Sequence, residues 1–321
     1  MKNQTLILLF ALLILACSAV QAIEIAGTIA STLVIKEDSW LTGDVTCKVE
    51  NAPCIRVEAS NITLWLNGFA ITGQGDPPSG CVPGSAFNPA HGIEISNQRR
   101  VEVFGPGLIG RHRGWGIFLG ENTTRTTVKD MTISSNCLSG IQLYPNANDN
   151  LIEGVVSVRN GNPGAGCGGI CTFNSNYNRY HRNVLSGNGY TGPTPYMNFN
   201  FGLAISGRGN TASENIITGN LTGIFISASA VEGNIVYRNI ITGNPPIQIP
   251  LSAPEYPGFD IRNNSPEIAN TILDNVCETY SGPGLSPCRP SVVGELLSLF
   301  KLGSTGPLRR SPLTALDKAH R

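Results

Sequence analysis

Asn215-Ile-Ile-Thr-Gly-Asn220 runs on to Gly223-Ile-Phe-Ile226, and one repeat later the chain reads Asn239-Ile-Ile-Thr-Gly-Asn244. The pattern extends backwards through Asn183-Val-Leu-Ser-Gly-Asn188, Val155-Val-Ser-Val-Arg-Asn160 and Met131-Thr-Ile-Ser-Ser-Asn136. A Gly-led run of alternating apolar residues follows the earlier ones: Gly140-Ile-Gln-Leu143, Gly169-Ile-Cys-Thr172 and Gly202-Leu-Ala-Ile205. After Asn244 the Gly is replaced, and the run reads Pro246-Ile-Gln-Ile249. Self-similarity at a period of about 24 residues marks a solenoid.

Aligning the five segments gives a cross-section. Val128, Ile152, Tyr180, Ala212 and Val236 form a mostly apolar column, expected inside. Lys129, Glu153, His181, Ser213 and Tyr237 form a polar column, expected outside, and Asp130, Gly154, Arg182, Glu214 and Arg238 also face solvent. Ile141, Ile170, Leu203, Ile224 and Ile247 share one direction in the Gly-led strands. Two asparagine columns are expected to form amide ladders at the turns, with the Gly allowing a sharp change of direction. The turns are too short for crossover helices. The reading is an all-β parallel β-helix of about eight coils between residues 30 and 276. Residues 23–54 are expected to cap the first coil, because a solenoid must hide its open strand edges.

Composition narrows the class. The 321 residues carry a formal net charge of +0 and only 14% charged residues, which argues against a phosphate-driven nucleic-acid binder. Residues 1–22 read as a signal peptide: Lys2, an apolar run from Leu6 to Leu15, and Val20-Gln-Ala22 as a cleavage site. The run is too short for a bilayer span. Lipidation of Cys17 is the competing reading. Either way eight cysteines remain, an even number that in an exported chain implies disulfides. Cys47 with Cys54, and Cys277 with Cys288, would close short loops. Stacking of adjacent coils suggests Cys137–Cys167, with Cys81–Cys171 as the remainder; the rival is Cys167–Cys171 with Cys81–Cys137.

Two stretches carry a resemblance. Cys54-Ile-Arg-Val-Glu-Ala-Ser-Asn-Ile-Thr-Leu-Trp-Leu-Asn-Gly-Phe-Ala-Ile-Thr-Gly73 and the Asn-x-Ile-x-x-Gly-Asn-x-x-Gly-Ile repeats resemble exported right-handed parallel β-helix repeat proteins. That superfamily includes pectate lyases, polygalacturonases, alginate epimerases and NosD-type periplasmic proteins. The resemblance covers about residues 30 to 276 and, with the general preference of parallel crossovers, implies right-handedness. The paired aspartates and Gly-His-Gly of polygalacturonases do not occur here, nor does the Asp-Pro-His-Asp of mannuronan epimerases. The Arg-plus-calcium-aspartate arrangement of pectate lyases finds no match, since acidic residues are scattered singly.

Insertions in a solenoid tend to mark its working edge. Here they gather between the terminal Asn column and the next Gly-led strand, swelling at residues 74–91, 161–168 and 189–201. This rim holds His91, Tyr190, Tyr196 and Phe199 as candidate substrate-binding residues. Arg111-His112-Arg113 lies at the same corner beside Trp115. An Arg can neutralise a uronate carboxylate, a His or Arg in a low-dielectric groove can abstract the neighbouring proton, and Trp can stack on a sugar ring. The alternative is a solvated basic turn whose Trp covers the coil edge. The tyrosines and Phe199 suit a loop folded back on the coil equally well. Asp76, Asp130 and Glu153 are oxygen donors available to calcium, but no calcium-loop spacing joins them, and no metal or cofactor site is assigned.

Residues 23–288 form the β-helix in this reading, and residues 289–321 a short capping helix at Val292-Val-Gly-Glu-Leu-Leu-Ser-Leu-Phe300 with a disordered tail. The functional expectation is a secreted or periplasmic protein that binds acidic polysaccharide, or cell-surface glycan, along a groove beside the rim. Processing by lyase, epimerase or hydrolase chemistry stays open. A non-catalytic surface, adhesion or envelope scaffold is the alternative.

Overall fold

The computed structural model describes residues 22–75, 81, 89–161, 167–189, 201–230, 232–244, 258–266, 270–283 and 286–289. The expected signal peptide (all but Ala22), capping helix and tail lie outside the described residues. Among the described residues the regular elements are strands, mostly three residues long, and no helix is long and apolar enough to cross a membrane.

Each full coil is three strands and three corners. The Gly-led strands stack into a ten-stranded sheet, from Leu33–Ile35 to Tyr280–Ser281. The remaining strands make a 19-stranded sheet with two ladders. A leading ladder runs from Thr63–Trp65 to Thr271–Leu273, and a trailing ladder from Ala70–Thr72 to Asn275–Cys277. All pairings are parallel, as in Ile216↔Ile240 and Ile117↔Ile141.

The ten strands exceed the eight coils expected from spacing because residues 23–57 wind as coils themselves. Ile23–Ile29 pairs with Ser39–Cys47 from Ile23↔Ser39 to Ile29↔Cys47. Ser39–Cys47 then spans both ladders, pairing with Thr63–Trp65 and Ala70–Thr72.

Alternation decides what is buried. Val128, Ile152, Tyr180, Ala212 and Val236 are all 0% exposed, as their column requires. Ile93, Ile117, Ile141, Ile170, Leu203, Ile224 and Ile261 stack as a second fully buried file. Each such side chain contributes about 1.5–3 kcal/mol by leaving water. Tyr180 is accommodated because its hydroxyl bonds the Thr172 hydroxyl inside the coil.

Ile261 replaces the expected Ile247 in that file. Ile224 pairs with Ile261, and Ile226 with Asn263, so Phe259–Asn263 is the strand that follows Asn244. Pro246-Ile-Gln-Ile249 lies outside the described residues. Register is decided by the buried file and by the hydrogen-bond acceptor that Asn244 needs, not by the nearest Ile-x-Ile.

The Gly-led column has a different cause from the expected turn. Gly116, Gly140, Gly202 and Gly223 lack positive φ. Their constraint is close approach: a Cβ on Gly223 would sit 2.5 Å from the Asp260 carbonyl oxygen, and one on Gly116 2.7 Å from that of Gly140. Positive φ occurs instead between the two ladders, at Asp130, Arg182, Glu214 and Arg238 (φ 52 to 57), which aims those side chains outward.

Candidate functional site

Asparagine ladders build the corners on which any site must sit. Asn188 donates from its backbone N and from Nδ2 to Asn220 Oδ1, at 2.9 and 3.2 Å, and also from Nδ2 to the Ser157 carbonyl. The same triple contact recurs at Asn220 and Asn244. A second file runs Asn183, Asn215, Asn239, Asn275. A third, Asn150, Asn178, Asn210, Asn234, Asn270, was not among the expected columns. Its members stand two residues before the inward column, just outside the aligned segments.

His112 belongs to the first file. Its backbone N donates to Asn136 Oδ1 at 3.0 Å, as Asn136 N does to Asn160 Oδ1. With the Nε2 tautomer protonated, its ring donates to the Ile71 carbonyl at 3.2 Å, the bond that Nδ2 makes from the asparagines. It is 2% exposed, and burial pulls its pKa down to about 4 despite the Ile71 bond. A Cβ on Gly73 would lie 2.6 Å from His112 Nδ1, so the ring fills space that this glycine leaves.

Arg111, His112 and Arg113 therefore take three directions. Arg111 has φ 60 and faces out, His112 faces the core, and Arg113 is half-buried. Arg113 lines a small cleft with His91, His112, Gln74 and the Cys47–Cys54 disulfide. The cavity volume is about 10 Å³, room for roughly one water and not for a sugar ring. Arg113 Nε is buried there without a hydrogen-bond partner. His91 is also buried, and its Nδ1 accepts the Trp115 N–H at 3.3 Å. Burial first, then the charges of His112 and Arg56, lower its pKa to about 3. Tyr190, Tyr196, Phe199 and Asp76 lie outside the described residues.

The open chemistry is on the outer face of the ten-stranded sheet. Trp115 packs on His91 with ring centroids 4.7 Å apart and stacks on Phe118 at 4.8 Å. Phe118 meets Tyr144 edge-on at 5.0 Å, and Tyr144 meets Phe173 at 6.3 Å. Trp115 is 7% exposed and forms the floor; Phe173 is 54% exposed and forms the open end. Partial burial and the nearby Glu121 charge raise the Tyr144 pKa. The Arg56–Glu94 pair (3.5 Å) borders the shelf, since Glu94 is the strand neighbour of Phe118. Phe118, Tyr144 and Phe173 were legible as the outward residues in and just after the Gly-led strands, had those columns been read for aromatics as well as for inward apolar residues.

Disulfides staple this corner. Cys81 pairs with Cys137 and Cys167 with Cys171, alongside Cys47–Cys54 and Cys277–Cys288. Cys137–Cys167 does not form. With Ile141 opposite Ile170, Cys167 falls opposite Leu138, one residue past Cys137, and alternation turns the two sulfurs apart. Among the described residues no three His, Cys, Asp or Glu side chains gather as a metal site.

No protein-family description matches the sequence, and no curated protein matches it. Solved structures do match. The enzymatically active domain of tailspike protein 2 from bacteriophage CBA120 superposes with TM-score 0.51 at 11% identity, over 80% of this chain and 41% of that one. The Dettilon tailspike protein gives TM-score 0.51 at 15% identity, over 81% of this chain and 55% of that one. The chain is a right-handed parallel β-helix. This β-helix spans about half the length, or less, of those two tailspike chains, and what it shares with them is the fold.

Proposed function

We propose that this β-helix is exported and binds acidic polysaccharide on the aromatic outer face of the ten-stranded sheet, beside the loop-rich rim. The observation that carries the reading is the continuous run of ring contacts from Trp115 through Phe118 and Tyr144 to Phe173. Rings following one another at about the strand repeat of 4.8 Å make a continuous apolar strip along which a sugar chain can lie. Glu94, the neighbour of Phe118 in the same outward file, supplies carboxylate oxygens for hydroxyl groups, whereas Gln142 on the other side is buried and bonded to the Leu143 and Cys171 carbonyls. At the upper end Arg113, with its Nε unpaired, is the cation nearest the strip, and Arg56 beside it is paired with Glu94. Export is supported by the Lys2-led apolar segment and the four disulfides.

Binding is the better-supported part. The only histidine of the basic cluster, His112, is committed to the asparagine file and is not open to a sugar. That placement equally favours the non-catalytic scaffold as the second reading. A glycan array followed by an unsaturated-uronate absorbance assay separates them. Retention on uronate polymers that is lost in Phe118→Ala supports the reading. No uptake on any polymer leaves the scaffold.

A further inference from the structure

The trailing ladder presents a second face that the binding shelf does not use. In its seven strands from Ala70–Thr72 to Ile240–Thr242 the middle residue is buried and the first and third point outward. None of those outward residues carries a charge. Val156, Val184, Ile216 and Ile240 follow one another in one row. Ser186, Thr218 and Thr242 follow in the other. Ile216 is 38% exposed, and its row neighbours are half-buried with no described segment across them. The leading ladder over the same coils is different: its outward positions include Glu102, Lys129, Glu153 and Arg179.

Charge does occur, but only at the shoulders. Arg182 and Glu214, with φ 52 and 56, point out beside the face on one side, and Arg159, with φ 56, on the other. An uncharged centre with a charged rim is the anatomy of a protein interface. Seven strands at about 4.8 Å, three residues wide plus both shoulders at about 3.3 Å per residue, present roughly 550 Å². Two such faces bury about 1,100 Å², above the roughly 1,000 Å² that a biological interface clears and in the range of a reversible pair.

We infer that this face docks a second copy of the chain, in an antiparallel two-fold dimer. The shoulder charges favour the copy over an unrelated partner. Arg182 and Glu214 sit one coil apart on one shoulder and pair with each other at 2.9 Å within the chain. A two-fold axis lying in the interface along the strands, between those of Val184 and Ile216, stacks this pair on the reversed pair of the other copy, so that each Arg182 also meets the other copy's Glu214 in a cluster of four alternating charges. Gly154 then faces Arg238, and Asp130 faces Asp274, whose charge Arg289 of its own chain already balances. The common strand repeat lets side chains of one face enter the grooves of the other. This inference does not depend on the glycan reading.

The test is light scattering and sedimentation velocity on the secreted full chain with its disulfides intact. A concentration-dependent dimer is expected. Ile216→Lys should raise its dissociation constant by about tenfold or more, through a charge stranded in the centre, while Thr211→Lys on the leading ladder leaves it unchanged. Should Ile216→Lys fail to fold, the shoulder decides: Arg182→Glu weakens the dimer, and Arg182→Glu with Glu214→Arg restores it. A wild-type monomer at every concentration overturns the inference. So does a dimer that persists in a folded Ile216→Lys or is indifferent to the charge reversal.

Discussion

Asn244 donates from both its backbone N (3.3 Å) and its side-chain Nδ2 (3.0 Å) to one oxygen of Asp260. The other Asp260 oxygen accepts the backbone N–H groups of Glu278 (2.8 Å) and Thr279 (3.2 Å). Each asparagine above passes its amide hydrogen to the oxygen below, so the file needs a terminal residue that only accepts. Asp260 is that residue, and His112 opens the file at the other end.

Replacing Asp260 with Ala should therefore strand the backbone N–H groups of Asn244, Glu278 and Thr279 at once, while Asn244 Nδ2 keeps the Ile217 and Thr242 carbonyls. At about 1–3 kcal/mol per orphaned group, partly relieved by water, the expected loss is on the order of 3–5 kcal/mol. Asp260→Asn keeps one oxygen for Asn244 but turns an NH₂ toward Glu278 and Thr279, and should fall between. Urea unfolding of the three proteins checks the order. Equal stability of Asp260→Ala and wild type would remove the terminal role.

His112 should make stability depend on pH. Its folded pKa is about 4, against 6.5 unfolded, so below pH 6.5 the unfolded chain takes up a proton that the folded one refuses. Stability is full above about pH 6.5 and declines as pH falls toward 4, by on the order of 3 kcal/mol from this group. His91, with a folded pKa of about 3, acts in the same direction to lower pH. His112→Asn would put the ladder's own residue in place, with Nδ2 in reach of Asn136 and Ile71. Its unfolding midpoint should fall less between pH 7 and pH 4.5 than that of wild type. An unchanged pH slope would count against burial of the neutral ring as the cause.

The disulfides should differ in worth according to the chain they close. Cys81–Cys137 spans 56 residues and Cys167–Cys171 only 4. Loop-closure entropy alone gives about 4 kcal/mol for the first and about 2 kcal/mol for the second. Paired Cys→Ser variants, compared by denaturant midpoint, should show the larger loss for Cys81–Cys137. The reverse order would mean that native-state contacts, not the unfolded chain, dominate.

On the aromatic shelf, Phe118→Ala should weaken glycan retention more than Phe173→Ala. Phe118 touches His91, Trp115 and Tyr144, whereas Phe173 has one ring neighbour among the described residues, at 6.3 Å. A loss of roughly 1–2 kcal/mol, about tenfold in affinity, is expected for Phe118. Affinity electrophoresis in polymer-containing gels measures it. Neither substitution having an effect would move the site off this face.

The repeat alone was enough for the β-helix, the inward columns and two of the three asparagine files, because stacking one strand above another puts identical positions in identical surroundings. Val128 and Ile152 could be called buried from period-two alternation, with no knowledge of distance. What the repeat left open were contacts set by register between unlike segments. Cys137 missed Cys167 by one residue, and Asp260, sixteen positions past Asn244, ended a file begun by a histidine. His112 read as chemistry in the sequence because Arg-His-Arg is polar and local. Only the wound chain shows that its backbone lies over Asn136 and its ring under Ile71, where burial and two hydrogen bonds make it part of the frame. Sequence period determines which face a side chain takes; the neighbour it meets there is decided by how many residues each corner consumes, and that is a property of the folded coil.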